Sequence, residues 1–265
     1  MNDYPPGVDK IRLGGMALAN GVLVHGPSAW ACAIRTERGE LKVVSRRKSL
    51  QAARVSSPLL RGPARLAEAM LLLPQVKRAL PEAKLPFERP RVLATMLISA
   101  TATNTLRRSR VRPFVRELAS GILSLAPALL ALRGGELAAY HGAEHVSIGT
   151  YEHGEARPKE HERCGSHLVG PLVITSAAGA LLAEAAPRRF KRAAKGAAAI
   201  GSIGVATEVF GWMTRNPEHP LARALARPGH ELQHRVGTDD PSPEQLEVAQ
   251  AALAACLELE DDHDA

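Results

Sequence analysis

A chain of 265 residues is long enough to bury a sizeable core, as one large domain or two small ones. Its net charge of +7 would suit nucleic-acid binding, but the basic clusters at 45–49, 106–116 and 187–195 have almost no aromatic residues between them to stack on bases. Three widely spaced cysteines, an odd number, argue against a disulfide framework. The composition therefore predicts a protein of a reducing compartment that recognises no specific nucleic acid.

The N-terminal 50 residues contain a segment typical of a β-hairpin. Residues 29–45 alternate in side-chain character on both sides of Glu37-Arg38-Gly39, which is a turn sequence. We therefore predict two antiparallel strands here and treat residues 1–50 as an N-terminal β-hairpin unit.

Residues 51–213 are predicted to form a helical core. A helix is expected over 58–80, and four apolar stretches follow it along the chain: 92–106, 117–132, 168–184 and 197–213. The first is short, and the others are rich in small residues and carry a glutamate, so each is a marginal membrane span. Basic clusters between the first and second stretches, and between the third and fourth, predict two helical hairpins with basic tips on one side. The fold class is thus mainly α, with marginally hydrophobic hairpins in a four-helix-like core.

The location of the protein follows from the same charges. If the hairpins crossed a membrane, the positive-inside rule would export about ninety basic N-terminal residues, although the first twenty show no secretory signal. The sequence therefore favours a bundle that is peripheral to, or marginally integral in, the cytoplasmic membrane, and a cytoplasmic location is the alternative. The basic clusters are expected to contact an anionic lipid surface. No feature indicates an oligomeric state.

The C-terminal segment, 214–265, ends in a predicted helix. Ser242 as N-cap, Pro243 in the first turn and Gln245 as the partner in a capping box indicate where this helix begins. Apolar residues then recur at helical spacing: Leu246, Ala249, Leu253 and Leu257. We expect this helix to pack on the core, so that the three units form one integrated domain.

The segment 137–155 contains the pattern His141-x-x-Glu144-His145. Residues four apart on a helix lie one above the other, so His141 and His145 can bind one metal ion while Glu144 lies beside them. This is the inverted zincin order, in which the glutamate acts on a water molecule. Gly154 is expected to end the helix.

A second pattern, His230-Glu231-x-x-His234, has the forward zincin order. Pro228 and Gly229 directly before it and Gly237 after it leave room for barely two helical turns, whereas the forward motif uses a longer helix. A surface loop or short helical turn is therefore at least as compatible with this segment as a ligand role.

Residues 161–167 supply further candidate ligands. His161, Cys164 and His167 are three residues apart, a spacing compatible with tetrahedral zinc, but a single cysteine in such a segment is equally often just buried. Both alternatives are open at this point.

Three segments together resemble the YqhQ-like family of predicted metal-dependent enzymes, which are bacterial proteins of unknown function. These segments are GGMALANGVLVHGPSAWACAIR, AAYHGAEHVSIGTYEHGE followed by HERCGS, and RPGHELQHRVGTDDPSPEQLEVAQAAL. The resemblance extends from Gly14 to about Leu253. It implies a metal site without a substrate, and many members of the family are predicted multi-pass membrane proteins.

The resemblance also implies which residues form the site. The family motifs fall on His141, Gly142, Glu144, His145, Tyr151, Glu152, His161, Arg163, Cys164, Gly165 and, in the last apolar helix, Glu208. His230 and His234 depart from the family pattern, which has Leu-Trp in that block before the glutamine at Gln233. The resemblance therefore favours His141 and His145 over the forward pattern.

The sequence as a whole predicts a metal-dependent hydrolase that binds zinc or iron. The predicted site residues are His141 and His145 with Glu208 or Cys164 as metal ligands, Glu144 as catalytic base, and Glu152, His161 and Arg163 in support. Glu144 has an alternative role as a ligand or as a partner that orients an imidazole. The alternative function is a non-enzymatic, membrane-associated scaffold whose polar cluster is a buried hydrogen-bond network.

Overall fold

The computed structural model describes residues 10–133 and 135–264, which form an N-terminal sheet followed by helices. Strands β1 (Gly14–Leu18), β2 (Gly21–His25), β3 (Ala29–Arg35) and β4 (Leu41–Arg47) lie in spatial order and pair antiparallel. The hairpin predicted over 29–45 is confirmed as β3 and β4, which pair from Ala29 opposite Arg47 to Arg35 opposite Leu41. Gly39 makes their turn with a φ of 80°, a conformation that favours glycine.

The hairpin of β1 and β2 was not predicted from the sequence. In β2, the consecutive residues Val22, Leu23 and Val24 are all buried, because both faces of the sheet are covered. Such a strand reads as a continuous apolar run instead of an alternating pattern, and it therefore lacks the periodicity on which the prediction relied.

Several helices start at a proline, which suits the first helical turn. The helices are α1 (Pro58–Ala79), α2 (Pro90–Arg108), α3 (Pro113–Leu132), α4 (Glu136–His153), α5 (Val169–Glu184), α6 (Lys191–Arg215), α7 (Pro220–Leu232) and α8 (Pro243–Asp264). The predicted helices are present, although two begin earlier than predicted, at Pro113 instead of residue 117 and at Lys191 instead of residue 197. Helix α7 is longer than the loop or short turn expected there, and it continues into a π-helical turn, Gln233–Gly237.

The predicted helical hairpins are confirmed. Helices α2 and α3 pack together, α5 and α6 pack together, and α3 lies against α5, which makes a four-helix core to which α1 is added along α6. Between α5 and α6, Ser202 Oγ donates to the carbonyl of Thr175 at 2.9 Å, and Thr175 Oγ1 donates to the carbonyl of Ser202 at 3.0 Å. Small residues thus allow the two helices to approach closely.

Of the described helices, three are long and apolar enough to cross a membrane by length and composition: Phe114–Leu132, Gly165–Glu184 and Arg188–Arg215. Much of their apolar surface is not covered by other parts of the protein. Leu182 is 76% exposed, and Ile122 and Ile174 are each 58% exposed.

The sheet is the centre of the core, because helices cover both of its faces. On one face, α8 and α4 bury a cluster that includes Val22, Val24, Ala31, Ala33, Tyr140, Ala143, Val248, Ala252 and Cys256. On the other face, the C-terminal half of α1 buries Leu23, Trp30, Ile34, Leu72, Leu73 and Val76.

Helix α8 begins and packs as the sequence predicts. Ser242 N donates to Gln245 Oε1 at 2.9 Å, and Gln245 N donates to Ser242 Oγ at 3.3 Å, which completes the capping box. Near the other end, Glu260 accepts hydrogen bonds from the backbone N–H groups of Ser28 and Ala29 at 2.8 and 2.7 Å. Both ends of α8 are therefore held in place.

A buried ion pair joins the sheet to α1. Lys48 Nζ lies 2.8 Å from Glu68 Oε2, and the two side chains are only 2% and 8% exposed. Lys48 also lies 3.2 Å from His25 Nδ1, which must accept this hydrogen bond because an ammonium group only donates. Burial, together with the neighbouring Lys48 ammonium, lowers the pKa of His25 to about 4.

Acidification should therefore destabilise the fold through His25. The unfolded imidazole protonates near its ordinary pKa of about 6.5, whereas the folded one stays neutral down to about pH 4, so stability is lost as the pH falls through 6.5. Between pH 7.5 and 5.5 we expect a loss of about 1 kcal/mol, or roughly 2–4 °C in Tm. His25→Asn retains an acceptor for Lys48 but does not titrate, so its Tm should fall less in the same thermal melts. An equal fall of Tm in the wild-type protein and in His25→Asn would contradict the attribution of this pH dependence to His25.

Candidate metal centre

Helix α4 presents His141, Glu144 and His145 in its middle turns. The helix ends at Gly154, as predicted, with a φ of 74°. On the same stripe, Leu137 and Ile148 are buried. The apolar neighbours thus fix the rotation of the helix and direct the polar side chains toward two chain segments, 155–168 and 237–241.

Three of the predicted ligands come together. The ligand atoms of His141, His145 and Cys164 all lie within 4.8 Å of one another. The sulfur of Cys164 lies 3.6 Å from Nε2 of His141, and the two imidazole centroids are 4.3 Å apart. A tetrahedral zinc ion, with Zn–S of about 2.3 Å and Zn–N of about 2.0–2.1 Å, separates sulfur and nitrogen by roughly 3.6 Å. The donors therefore fit a metal ion.

Backbone carbonyls fix the orientation of both imidazoles. His141 Nδ1 lies 2.7 Å from the carbonyl oxygen of Gly237, and His145 Nδ1 lies 2.6 Å from that of Lys159. Because a carbonyl only accepts, each Nδ1 must carry the proton, which leaves each Nε2 with a free lone pair. Metal-binding histidines are commonly held in this way. Burial also lowers the pKa of His145, which keeps the ring neutral.

Cys164 reaches the group from the start of α5. It caps the short 3₁₀ turn Gly165–Leu168 that leads into this helix, and its sulfur accepts a hydrogen bond from Ser166 N at 3.5 Å. The thiol is half-buried, so it is accessible to a ligand while its position is held by the turn.

The glycine in the middle of the histidine pattern permits a close backbone contact. A Cβ atom on Gly142 would lie 2.1 Å from the carbonyl oxygen of Asp239. Asp239 N donates to the carbonyl of Ala138 at 3.0 Å, so the two segments touch along their backbones. This contact brings Gly237 within reach of His141.

Glu144 is a buried carboxyl beside the ligand group. It is 6% exposed, it lies 3.9 Å from His141 Nε2, and its carboxyl oxygens accept no hydrogen bond from the residues that the structure describes. Burial raises the pKa of Glu144 above its ordinary value. Gly15 of β1 makes room for it, because a Cβ there would lie 2.3 Å from Glu144 Oε1.

The three predicted supporting residues form one network. Glu152 Oε2 lies 3.1 Å from His161 Nε2, and Arg163 donates to Glu152 Oε1 at 2.7 Å. The His161 ring is 5.5 Å from the ring of His145, so this network lies directly behind one of the ligands.

Gln233 holds the segment that carries Cys164, a role that the sequence did not reveal. This fully buried amide accepts from His161 N at 2.8 Å and donates to Ser166 Oγ at 2.7 Å and to the carbonyl of His161 at 3.2 Å. It was overlooked because its segment was expected to be a surface loop or short turn. The sequence did offer one indication of this role, because Gln233 falls on the glutamine of the family pattern in the third resembling segment.

Other candidates lie outside the group. Glu208 pairs with Arg61 of α1 through both carboxylate oxygens, so its side chain points to that helix. His230 on the last turn of α7 and His234 in the π-helical turn after it are both exposed, and His234 Nδ1 lies 3.0 Å from Glu160. The ring of His167 is buried, and its Nδ1 lies 3.3 Å from Gln233 Nε2.

Comparison with known proteins finds a family match over the second half of the chain. Residues 136–259 match the family model described as "Protein of unknown function (DUF1385)". The match runs from the start of α4 into α8, includes every residue of the ligand group, and is consistent with the resemblance to the YqhQ-like family. It gives no activity. No curated protein and no solved structure matches the chain.

Gly142→Ala should destabilise the protein, because the added methyl group collides with the backbone of Asp239. We expect a loss of about 1–3 kcal/mol, measured as a lower Tm by circular dichroism. The matched control is Gly196→Ala in α6, where an added Cβ meets no atom within 4 Å. This control should be neutral or slightly stabilising. Equal Tm values for the two variants would contradict the close approach.

Proposed function

We propose that this chain, whose residues 136–259 match the DUF1385 family model, binds a divalent metal ion, zinc or iron, and catalyses a hydrolytic reaction. The observation that carries the proposal is the convergence of His141, His145 and Cys164, whose ligand atoms lie within 4.8 Å of one another. The hydrogen bonds from both Nδ1 atoms to backbone carbonyls support it, because they leave Nε2 available on each ring.

The number and type of donors favour catalysis over a purely structural role. Structural zinc sites are usually closed by four protein ligands, whereas catalytic sites use three and leave a position open. Imidazole and thiolate are donors that suit zinc and iron. When bound, such an ion supplies Lewis-acid polarisation of a water molecule or of a substrate carbonyl or phosphoryl group.

Glu144 is suited to move a proton at this site. Its carboxyl group is buried, adjoins His141 Nε2 at 3.9 Å and accepts no hydrogen bond from the described residues, so both oxygens are available. We propose that it takes the proton that an attacking water releases. Glu152, His161 and Arg163 would hold their side of the site in position through their shared hydrogen bonds.

Metal content tests the proposal directly. Elemental analysis of the full chain, purified without chelator or a histidine tag, should find about one equivalent of metal. His141→Ala/His145→Ala should reduce it on the order of tenfold or more. In cobalt-substituted protein, Cys164→Ser should remove the thiolate-to-metal absorption band.

Two variants serve as controls for that measurement. Glu208→Gln and His230→Ala/His234→Ala change candidate ligands that lie outside the group, so both should retain wild-type metal content. If the wild-type protein contains no metal and the variants fold normally, the proposal of a metalloenzyme is wrong. The alternative, a non-enzymatic scaffold, would then remain. If Glu208→Gln loses its metal and His230→Ala/His234→Ala does not, Glu208 and not Cys164 is the third ligand.

We also propose that the helical hairpins insert into the cytoplasmic membrane. The three spans of sufficient length and apolarity have only 11–22% of their windows buried within the protein, so most of their apolar surface needs another cover. Hydrocarbon chains of lipids would supply it. Exposed apolar residues of α2, such as Leu97 at 70% and Ile98 at 68%, extend the same surface.

Washing of cell membranes with alkaline carbonate tests the insertion. An inserted chain should remain with the bilayer, because its apolar helices are held by hydrocarbon and not by charge. Release into the wash would show peripheral attachment, and recovery in the soluble fraction of lysed cells would contradict membrane association altogether.

A further inference from the structure

The ends of the two helical hairpins concentrate the positive charge of the chain. We define the basic tip as residues 106–117 and 184–195, which contain ten of the 34 Lys and Arg residues but only two of the 27 Asp and Glu residues. The rest of the chain has 24 basic and 25 acidic residues, which is close to balance. The net charge of +7 therefore resides in the basic tip.

The structure places the two parts of the basic tip side by side. Arg116 of α3 lies 3.9 Å from Glu184 of α5, which joins the hairpins at this end. Glu184 also pairs with Lys191 at 2.7 Å and Lys195 at 3.0 Å, and Glu117 pairs with Arg116 at 3.3 Å. Both acidic residues of the basic tip are thus already engaged by cations.

Six exposed arginines of the basic tip remain without a carboxylate partner among the described residues. They are Arg108, Arg110, Arg112, Arg188, Arg189 and Arg192. Arginine is the cation that binds phosphate oxygens in a bidentate manner, and it is less strongly hydrated than lysine. An array of unpaired arginines is therefore suited to a surface of phosphate groups.

Large apolar side chains lie among these cations. Phe114 is 58% exposed, Phe190 is 52% exposed, and Leu182 on the last turns of α5 is 76% exposed. The guanidinium carbon of Arg189 lies 4.7 Å from the centroid of the Phe190 ring. Apolar side chains beside cations are typical of the boundary between lipid headgroups and hydrocarbon.

We propose that the basic tip binds the phosphate headgroups of anionic lipids in a bilayer. The arginines contact the phosphates, and Phe114, Phe190 and Leu182 enter the acyl boundary. A bilayer fits this surface better than a nucleic acid does, because the exposed apolar residues are continuous with the apolar faces of α3 and α5. The inference is independent of the metal centre, which lies beyond the other end of α5, roughly 24 Å away for its 16 residues.

Native mass spectrometry of the full chain in detergent micelles, titrated with phosphatidylglycerol or phosphatidylcholine, tests the proposal. Phosphatidylglycerol should bind more tightly than phosphatidylcholine. The triple variant Arg108→Gln/Arg110→Gln/Arg112→Gln should weaken binding of phosphatidylglycerol by roughly fivefold per arginine, or about 100-fold, and leave phosphatidylcholine unaffected.

The matched control removes the same charge far from the basic tip. Arg38→Gln/Arg46→Gln/Arg54→Gln changes three exposed arginines of the sheet and the segment after it, and phosphatidylglycerol binding should stay at the wild-type value. Equal affinity for the two lipids, or equal weakening in both triple variants, would overturn the proposal. So would tighter, tip-dependent binding of duplex DNA than of phosphatidylglycerol in the same buffer. Circular dichroism melts verify that both triple variants fold.

Discussion

The burial of β2 and β3 between two helical layers is the constraint on which the rest of the molecule depends. These strands supply fully buried side chains to both faces, and covering them requires α1 on one side and α4 with α8 on the other. Burial of apolar surface is the main favourable term in folding. The position of α4, and with it the position of the two histidines, follows from this packing.

The metal centre forms where that packed unit meets the helical hairpins. His141 and His145 come from α4, whereas Cys164 comes from the turn that leads into α5. Two backbone contacts and one buried amide, Gln233, hold these elements at a fixed distance. Because backbone carbonyls and not mobile side chains orient the imidazoles, the donors are preorganised before any ion arrives.

Local features of the structure and the pairing of helices into hairpins could be predicted from the sequence, whereas most contacts between individual distant side chains could not. The presence of the helices, the capping box of Ser242 and Gln245, and the glycine that ends α4 depend on neighbouring residues, so the sequence displays them directly. The sequence left Glu208 and Cys164 as alternative third ligands, because both stand far from His141 along the chain. Only tertiary packing shows that Glu208 meets Arg61 while Cys164 meets the histidines. Gln233 was missed because its segment was expected to be a surface loop or short turn, and only the packing of that segment against residues 161–166 shows its role.

The pairing of the first strands with the last helix has a consequence for biosynthesis. Helix α8 covers the face of β2 and β3, yet it is translated after every other described element. During translation, one apolar face of the sheet therefore lacks the cover of α8 while the helical hairpins, which lie between the sheet and α8 in the sequence, emerge from the ribosome. Contacts of such large sequence separation form late in folding. The face of α4 that packs beside α8 is likewise covered only after α8 has been synthesised.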